Sequence, residues 1–310
     1  MQIQWYPGHM HKASKQIKEA LPGVDILIEV LDARIPFSSE NPMLAELRGD
    51  KPCIKVLSKT DLADPEITAQ WQEYLEQQQG VKTLAIRTDQ PEKALQLTDL
   101  CRKMMPHKVK NEKTIHTMIV GIPNVGKSTL INILAGRTIA KTGNEPAVTK
   151  TQQRIKLDDG ITLSDTPGVM WPNVENKGSG YRLATTGAIR DTAMDYTDVA
   201  FFAADFMAKS YPERIKTRYE LDRIADSDLE ILEDIGRKRG CLRSGGQVDL
   251  DRVSKLFITE LRSGVLGLIT LETPAMMEAE KAKLVILRAE KAAKQAAKKT
   301  TRKKSWKASR

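Results

Sequence analysis

A parallel α/β sheet joined to a smaller helical region and a basic tail is the fold that this 310-residue sequence predicts. Three observations carry it. Short apolar runs rich in β-branched residues alternate with helix-length stretches over roughly the first half of the chain, which is the signature of a parallel sheet covered on both faces. After Gly168 the strand-like runs stop and helical periodicity takes over. Residues 281–310 carry twelve Lys or Arg against the single acid Glu290, so the first 280 residues sum to −2 while the whole chain stands at +9.

Each element follows in order. Val24–Leu31, Cys53–Leu57, Lys82–Ile86 and Ile115–Val120 read as strands. Helices are expected over 42–48, 65–79, 91–104 and 127–136. Gln153–Leu157 and Ile161–Leu163 form a hairpin around Asp158-Asp159-Gly160. From about 180 to 275 the chain is helical, with breaks expected at Gly236, Gly240 and Gly245-Gly246. The stretch 276–298 is rich in Ala, Lys, Glu and Leu, all strong helix formers. The expected division is a sheet domain over 1–175, a helical domain over 176–278 and a basic tail over 279–310.

Composition narrows the functional classes. Cys53, Cys101 and Cys241 are scattered with no CxxC pair, which argues against a disulfide framework or a zinc site and fits a reducing, cytoplasmic setting. No run of about 18 apolar residues exists, so no membrane span is expected. The N-terminal MQIQWYPGHMHK lacks the apolar core of a secretory signal. A near-neutral body with a purely basic tail points to nucleic acid, with a solubilising helix end as the alternative.

Gly121-Ile-Pro-Asn-Val-Gly126-Lys127-Ser128-Thr129 matches G-x-x-x-x-G-K-[ST] at every fixed position, with a strand before it and a helix after it. Glycines let backbone N–H groups turn onto phosphates, and the helix start adds positive potential. Asn124, Val125, Gly126, Lys127, Ser128 and Thr129 are therefore expected at a nucleoside triphosphate. Lys127 would reach the β- and γ-phosphates, and the Ser128 hydroxyl would ligate Mg2+. Asp165-Thr-Pro-Gly168 stands 37 residues beyond Ser128, where a carboxylate can hold the metal and the Gly168 N–H can meet the γ-phosphate. Thr149, in the irregular segment 143–150, would complete the magnesium shell.

The phosphate loop does not choose between ATP and GTP. Guanine offers N1–H and N2–H2, a donor pair that suits one carboxylate. No N-K-x-D follows residue 168, but Ser58-Lys59-Thr60-Asp61 closes the 53–57 strand. Asp61 would take the guanine donors and the Lys59 stem would cover the ring. At Ile86-Arg87-Thr88 a backbone N–H would meet the guanine O6. The base-reading element thus precedes the phosphate loop, and the ligand pair is GTP and GDP.

This order, together with Trp5-Tyr-Pro-Gly-His-Met10, Asp32-Ala-Arg-Ile-Pro36 and Gly236-Arg-Lys-Arg-Gly240, resembles the YlqF-type circularly permuted GTPases, the ribosome biogenesis GTPase A family. The resemblance spans about residues 3–275 and leaves out the basic tail. It implies a circularly permuted P-loop GTPase domain with a small C-terminal helical domain. It also implies a slow hydrolase that acts in late maturation of the large (50S) ribosomal subunit, binding the particle and its rRNA, with no DNA or membrane partner. Val169 stands where many GTPases carry a water-orienting Gln; the resemblance points instead to His9 as the catalytic group, with structural packing or RNA contact as the alternatives. It implies a K+ site at Asn124. The second domain would be tied to the switch at Asp165–Gly168, and Arg237-Lys-Arg239 with Arg243 would form an RNA-facing patch. Ser58 replaces the family's Asn, which ties the base loop to the phosphate loop, so a lower guanine affinity is expected. Ala147 replaces a switch Gly.

Overall fold

The computed structural model describes residues 3, 5–87, 89–140, 153–157 and 160–290. The chain divides into two compact units, Met1–Glu272 and Thr273–Arg310. The first unit holds the sheet and the helical region together.

The chain opens with α1 (Gly8–Ala20), then β1 (Ile26–Asp32), the single turn α2 (Pro36–Ser39) and α3 (Pro42–Arg48). β2 (Cys53–Ser58), α4 (Pro65–Glu76), β3 (Val81–Ala85), α5 (Pro91–Met104) and α6 (Pro106–Lys110) follow. β4 (Ile115–Val120) and α7 (Lys127–Leu134) bracket the phosphate loop. β5 (Gln153–Leu157) and β6 (Ile161–Asp165) complete a six-stranded sheet in the order β3-β2-β1-β4-β6-β5. All neighbours are parallel except β5 against β6. β1 and β2 are buried at every position, which is why they read as unbroken apolar runs and not as alternation. The strand carrying the phosphate loop pairs with β1 on one side and with β6, which ends in Asp165, on the other. The residues expected to read the base close β2, one strand further out. Both loops therefore open at the carboxyl end of one sheet, where ligands of α/β folds bind. The P-loop sheet is kept and the chain enters it at a different strand: this is the permuted arrangement the motif order predicts.

Capping residues place the helices. Asn41 accepts from Met43 N at the head of α3, and Asp64 accepts from Glu66 N and Ile67 N at the head of α4, each with Pro at the first turn. The helical region comprises α8 (Lys177–Thr185), α9 (Tyr196–Ser210), α10 (Pro212–Tyr219), α11 (Asp228–Lys238) and α12 (Leu250–Arg262). Asn176, Asp195, Ser227 and Asp249 cap α8, α9, α11 and α12. Tyr219 and Phe257 are fully buried in its core.

Gly236 corrects one expectation. It does not break the helix; it lies inside α11, because a Cβ there would stand 2.5 Å from Val248 Cγ1. The space between α11 and the returning chain requires glycine. The break falls at Gly240, Gly245 and Gly246, all at positive φ, in a turn whose flanks Leu242 and Val248 form a single antiparallel bridge. In the second unit, residues 274–290 are helical. Among the described residues, no helix is long and apolar enough to cross a membrane.

Candidate functional site

The phosphate loop takes its shape from three left-handed residues, Gly121, Asn124 and Gly126, and Gly126 serves as N-cap of α7. Val125 is buried, and Ser128 and Thr129 stand half-buried in the first turn of α7. The Lys127 ammonium donates to Gly121 O at 3.0 Å and Ile122 O at 2.7 Å, so it sits over the loop. Asp165, 2% exposed, ends β6, and Thr166 Oγ1 donates to Ile119 O at 2.7 Å. Gly168 approaches the loop closely: a Cβ would meet Pro123 Cα at 2.9 Å and Lys127 Nζ at 3.2 Å. Val169 N donates to Gly121 O at 3.2 Å. The D-x-x-G turn is thus laid directly on the phosphate loop, and no residue larger than glycine fits at its hinge.

Electrostatics reinforce the geometry. Burial pushes Lys127 down to about 8, against the pull of Asp165 and with help from Lys59. Burial pushes Asp165 up to about 6, opposed by Lys127. A buried cation and a buried carboxylate, each poorly solvated, gain most from a ligand that brings the opposite charge to each. A Mg2+-bound phosphate chain does so.

The loop expected to read the base is equally built. Lys59 adopts φ 57°, and its ammonium reaches Asp32 Oδ2 at 3.0 Å. Thr60 binds Ile86 O through both its N–H (3.3 Å) and its hydroxyl (2.9 Å), which brings 86–87 beside Asp61. Arg87 pairs with Asp89. Asp61 Oδ1 is buried without a hydrogen-bond partner in the protein. An orphaned carboxylate oxygen costs on the order of 1–3 kcal/mol, and the two guanine donors would relieve it.

Ser58 supplies a tie of its own between the two loops. Its hydroxyl lies between Leu31 O (2.8 Å) and Val125 O (2.5 Å). The base loop is tied to the phosphate loop by a serine in place of the family's Asn, so the substitution keeps the bridge.

Other expected residues are placed less centrally. His9 is exposed in the first turn of α1. Its segment runs beside the switch exit, since buried Ile3 packs on Gly180, with Val174 on the same side. Asn124 Nδ2 donates to Gly187 O at 2.9 Å, so any cation would be ligated by its side-chain oxygen. Thr88, Ala147 and Thr149 lie outside the described residues, as do 291–310 of the tail. The basic patch is partly spent internally. Arg237 pairs with Glu233 and Asp234, Arg243 pairs with Asp249, and Arg239 turns inward to Arg218 O and the Tyr219 ring.

Several residues that complete the site were not singled out from sequence or, like Asp32 and Arg34, stood there only within the Asp32–Pro36 motif. Asn41 donates through Nδ2 to Val169 O at 2.9 Å and holds the switch backbone. Buried Asp32 is clamped by Arg34 at 2.7 and 2.9 Å. The base loop is braced by distant chain: Ile269 N reaches Leu62 O at 2.9 Å, and Asp64 N reaches Thr270 Oγ1 at 3.0 Å. The Asn-Pro at 41–42 is the one local signal among these, as a helix start.

Residues 116–235 match the family model described as 50S ribosome-binding GTPase. The chain is 46% identical over 286 residues to ribosome biogenesis GTPase A of Priestia megaterium, covering 90% of this chain and 99% of that protein. It belongs to the ribosome biogenesis GTPase A family. The Bacillus cereus relative of the same name is also 46% identical, over 281 residues, 88% of this chain and 95% of that one. The solved structure of GNP-bound YlqF from T. maritima superposes with a TM-score of 0.62 at 30% identity, over 85% of this chain and 98% of that chain. Membership makes the chain a GTPase, a family that implies a guanine nucleotide and ordinarily Mg2+.

Proposed function

We propose that this chain hydrolyses GTP as an assembly factor in late maturation of the large ribosomal subunit, with nucleotide state controlling its association with the particle. The observation that carries the reading is the set of hydrogen bonds that join the nucleotide loops and the turn after β1 to the helical region and the chain that follows it: Asn124 to Gly187, Leu62 to Ile269 and Arg34 to Thr186. The γ-phosphate sensor at Gly168 leads into that region within a few residues. A nucleotide-dependent shift of the switch would thus re-set a surface that can meet a partner. The relatives' names and the family description support a ribosomal partner, and the tail supplies phosphate-seeking charge for rRNA. The setting is cytoplasmic.

In this reading Lys59, Asp61 and the 86–88 backbone hold guanine. Residues 124–129 and Gly168 hold the phosphates, and Ser128, Thr149 and Asp165 hold Mg2+, whose charge would offset that of the phosphate chain. The side-chain oxygen of Asn124 would ligate K+. Val169 cannot orient water, being buried and apolar, so His9 takes that role when the switch closes toward α1. The division into 1–175, 176–278 and 279–310 follows these tasks.

Single-turnover hydrolysis with and without large subunits, in K+ and in Na+, tests the proposal. Stimulation by subunits and by K+, lost in His9→Ala, is expected. Equal rates with and without subunits would favour a second reading that Val169 motivates: an RNA-binding protein whose nucleotide is structural and scarcely hydrolysed.

A further inference from the structure

The C-terminal end of α8 is held in an unusual way. A helix leaves its last carbonyls without partners and carries partial negative charge there. Here four consecutive carbonyls each accept from a side chain of another element. Arg262 NH2 reaches Ala184 O at 2.8 Å, and Arg262 Nε reaches Thr185 O at 3.0 Å. Arg34 NH2 reaches Thr186 O at 3.4 Å, and Asn124 Nδ2 reaches Gly187 O at 2.9 Å. Gly187 has φ +80°, and a Cβ on it would press on the Arg262 guanidinium at 3.4 Å.

Arg34 does more than cap. It grips Asp32 through Nε (2.9 Å) and NH2 (2.7 Å), its own N–H adds a third bond at 3.0 Å, and NH1 reaches Arg262 O at 3.3 Å. Asp32 in turn holds the Lys59 ammonium. Both members of the Asp32–Arg34 pair are almost wholly buried. Burial alone would raise the Asp32 carboxyl, but Arg34 and Lys59 outweigh it and hold it ionised, well below the usual carboxylate range.

We infer that Asp32 and Arg34 are positioning residues that join the guanine-covering lysine to the end of α8, so that occupation of the base site and the placement of α8 are energetically coupled. The chain of contacts is short and planar-fork in character. Displacing α8 must pull on the Arg34 guanidinium, whose rigid fork rotates Asp32 and withdraws the anchor of Lys59. Coupling of this kind is reciprocal: whatever guanine gains from an anchored Lys59, the anchored position of α8 gains from guanine. The inference rests on the assignment of Lys59 and Asp61 to the base. It adds a second route to the helical region, one that starts at the base and not at the γ-phosphate. GDP would hold α8 as GTP does, and the triphosphate would add the switch.

The experiment is hydrogen exchange on the full chain, with and without GDP, beside GDP and ADP affinities, for the wild type and Arg34→Lys. The lysine keeps a positive charge at Asp32 but loses the fork. Wild-type chain is expected to gain protection in 182–190 on GDP binding. In the variant GDP affinity falls about tenfold, protection of 121–128 persists and that of 182–190 is lost. A plain structural staple would lower stability and leave the nucleotide-dependent difference intact. Protection of 182–190 surviving in Arg34→Lys would assign the coupling to Asn124 and overturn the inference. If the variant does not fold, Asn124→Ala decides: GDP that still protects 182–190 there supports the inference, and GDP that leaves 182–190 unprotected there or in the wild type overturns it. Wild type binding ADP as tightly as GDP would instead overturn the base assignment, and the inference with it.

Discussion

The phosphate loop and the base loop sit side by side at one sheet end, yet they are held in different ways. The phosphate loop is held mostly by its near neighbours, with Asn124 to Gly187 and Ser58 to Val125 as its ties outward. Lys127 binds Gly121 and Ile122 carbonyls within its own loop, Gly126 caps the helix that follows, and Val169 returns to Gly121. The base loop leans on residues between 152 and 228 positions away: Ile269 on Leu62, Thr270 on Asp64, and Arg34 reaching Thr186 and Arg262 behind Asp32 and Lys59. The difference teaches that the loop expected to hold phosphates is shaped mainly by a few nearby residues. The loop expected to read the base is braced by the whole first unit. The permutation places the base loop early, and the last residues of the unit fold back to support it.

Lys127→Ala attacks the locally held side and is expected to have the largest effect. Loss of a buried, charge-assisted contact to the phosphates should weaken GTP and GDP binding by about a hundredfold or more, measured by fluorescent-nucleotide titration, with little change in the choice of GDP over ADP. A smaller effect is expected at the far end of the brace. Glu272 accepts from Ser38 N at 2.9 Å and from Ser38 Oγ at 2.5 Å, and it faces Arg182. Burial pushes its carboxyl up to about 6 from 4.5, with Arg182 opposing. A raised carboxyl pKa means that its contribution to stability is full below about 4.5 and is lost as pH rises through about 6. Urea titrations of Glu272→Gln should therefore show the wild-type advantage shrinking by about 2 kcal/mol between these limits. A pH-independent difference would mean that the carboxyl titrates alike in the folded and unfolded chains. Ser58→Ala is the mildest test. It removes the hydroxyl bridge to Val125 O, so GDP affinity should fall by about three- to tenfold, with selectivity shifted less than by a change at Asp61.

Much of the fold was legible because its signals are local. The central strands are buried on both faces, so they appear as apolar runs, and the G-x-x-x-x-G-K-S loop announces its strand and helix. The Ser58–Asp61 segment was legible as a candidate base loop because the Lys59–Asp61 spacing and the strand end lie in one short stretch. What stayed hidden depends on tertiary contact. Gly236 reads as a helix breaker until Val248 is seen against it. Ser58 reads as a loss until its hydroxyl is found on Val125 O. Arg34 was visible only as part of a motif, since nothing near it in sequence says that its guanidinium reaches the end of α8. Asn41 reads as a helix cap, and its second role on Val169 O needs the switch to be folded beside it.

The most direct test of the central claim, that a carboxylate placed before the phosphate loop reads guanine, is a competition of GDP and XDP on Asp61→Asn. Xanthine carries a carbonyl where guanine carries its C2 amine, so an amide donor suits xanthine as a carboxylate suits guanine. The account predicts that the variant loses about a hundredfold or more in GDP affinity, gains XDP binding, and keeps the fold. Unchanged preference for GDP would contradict it and send the search for the base reader elsewhere in the chain.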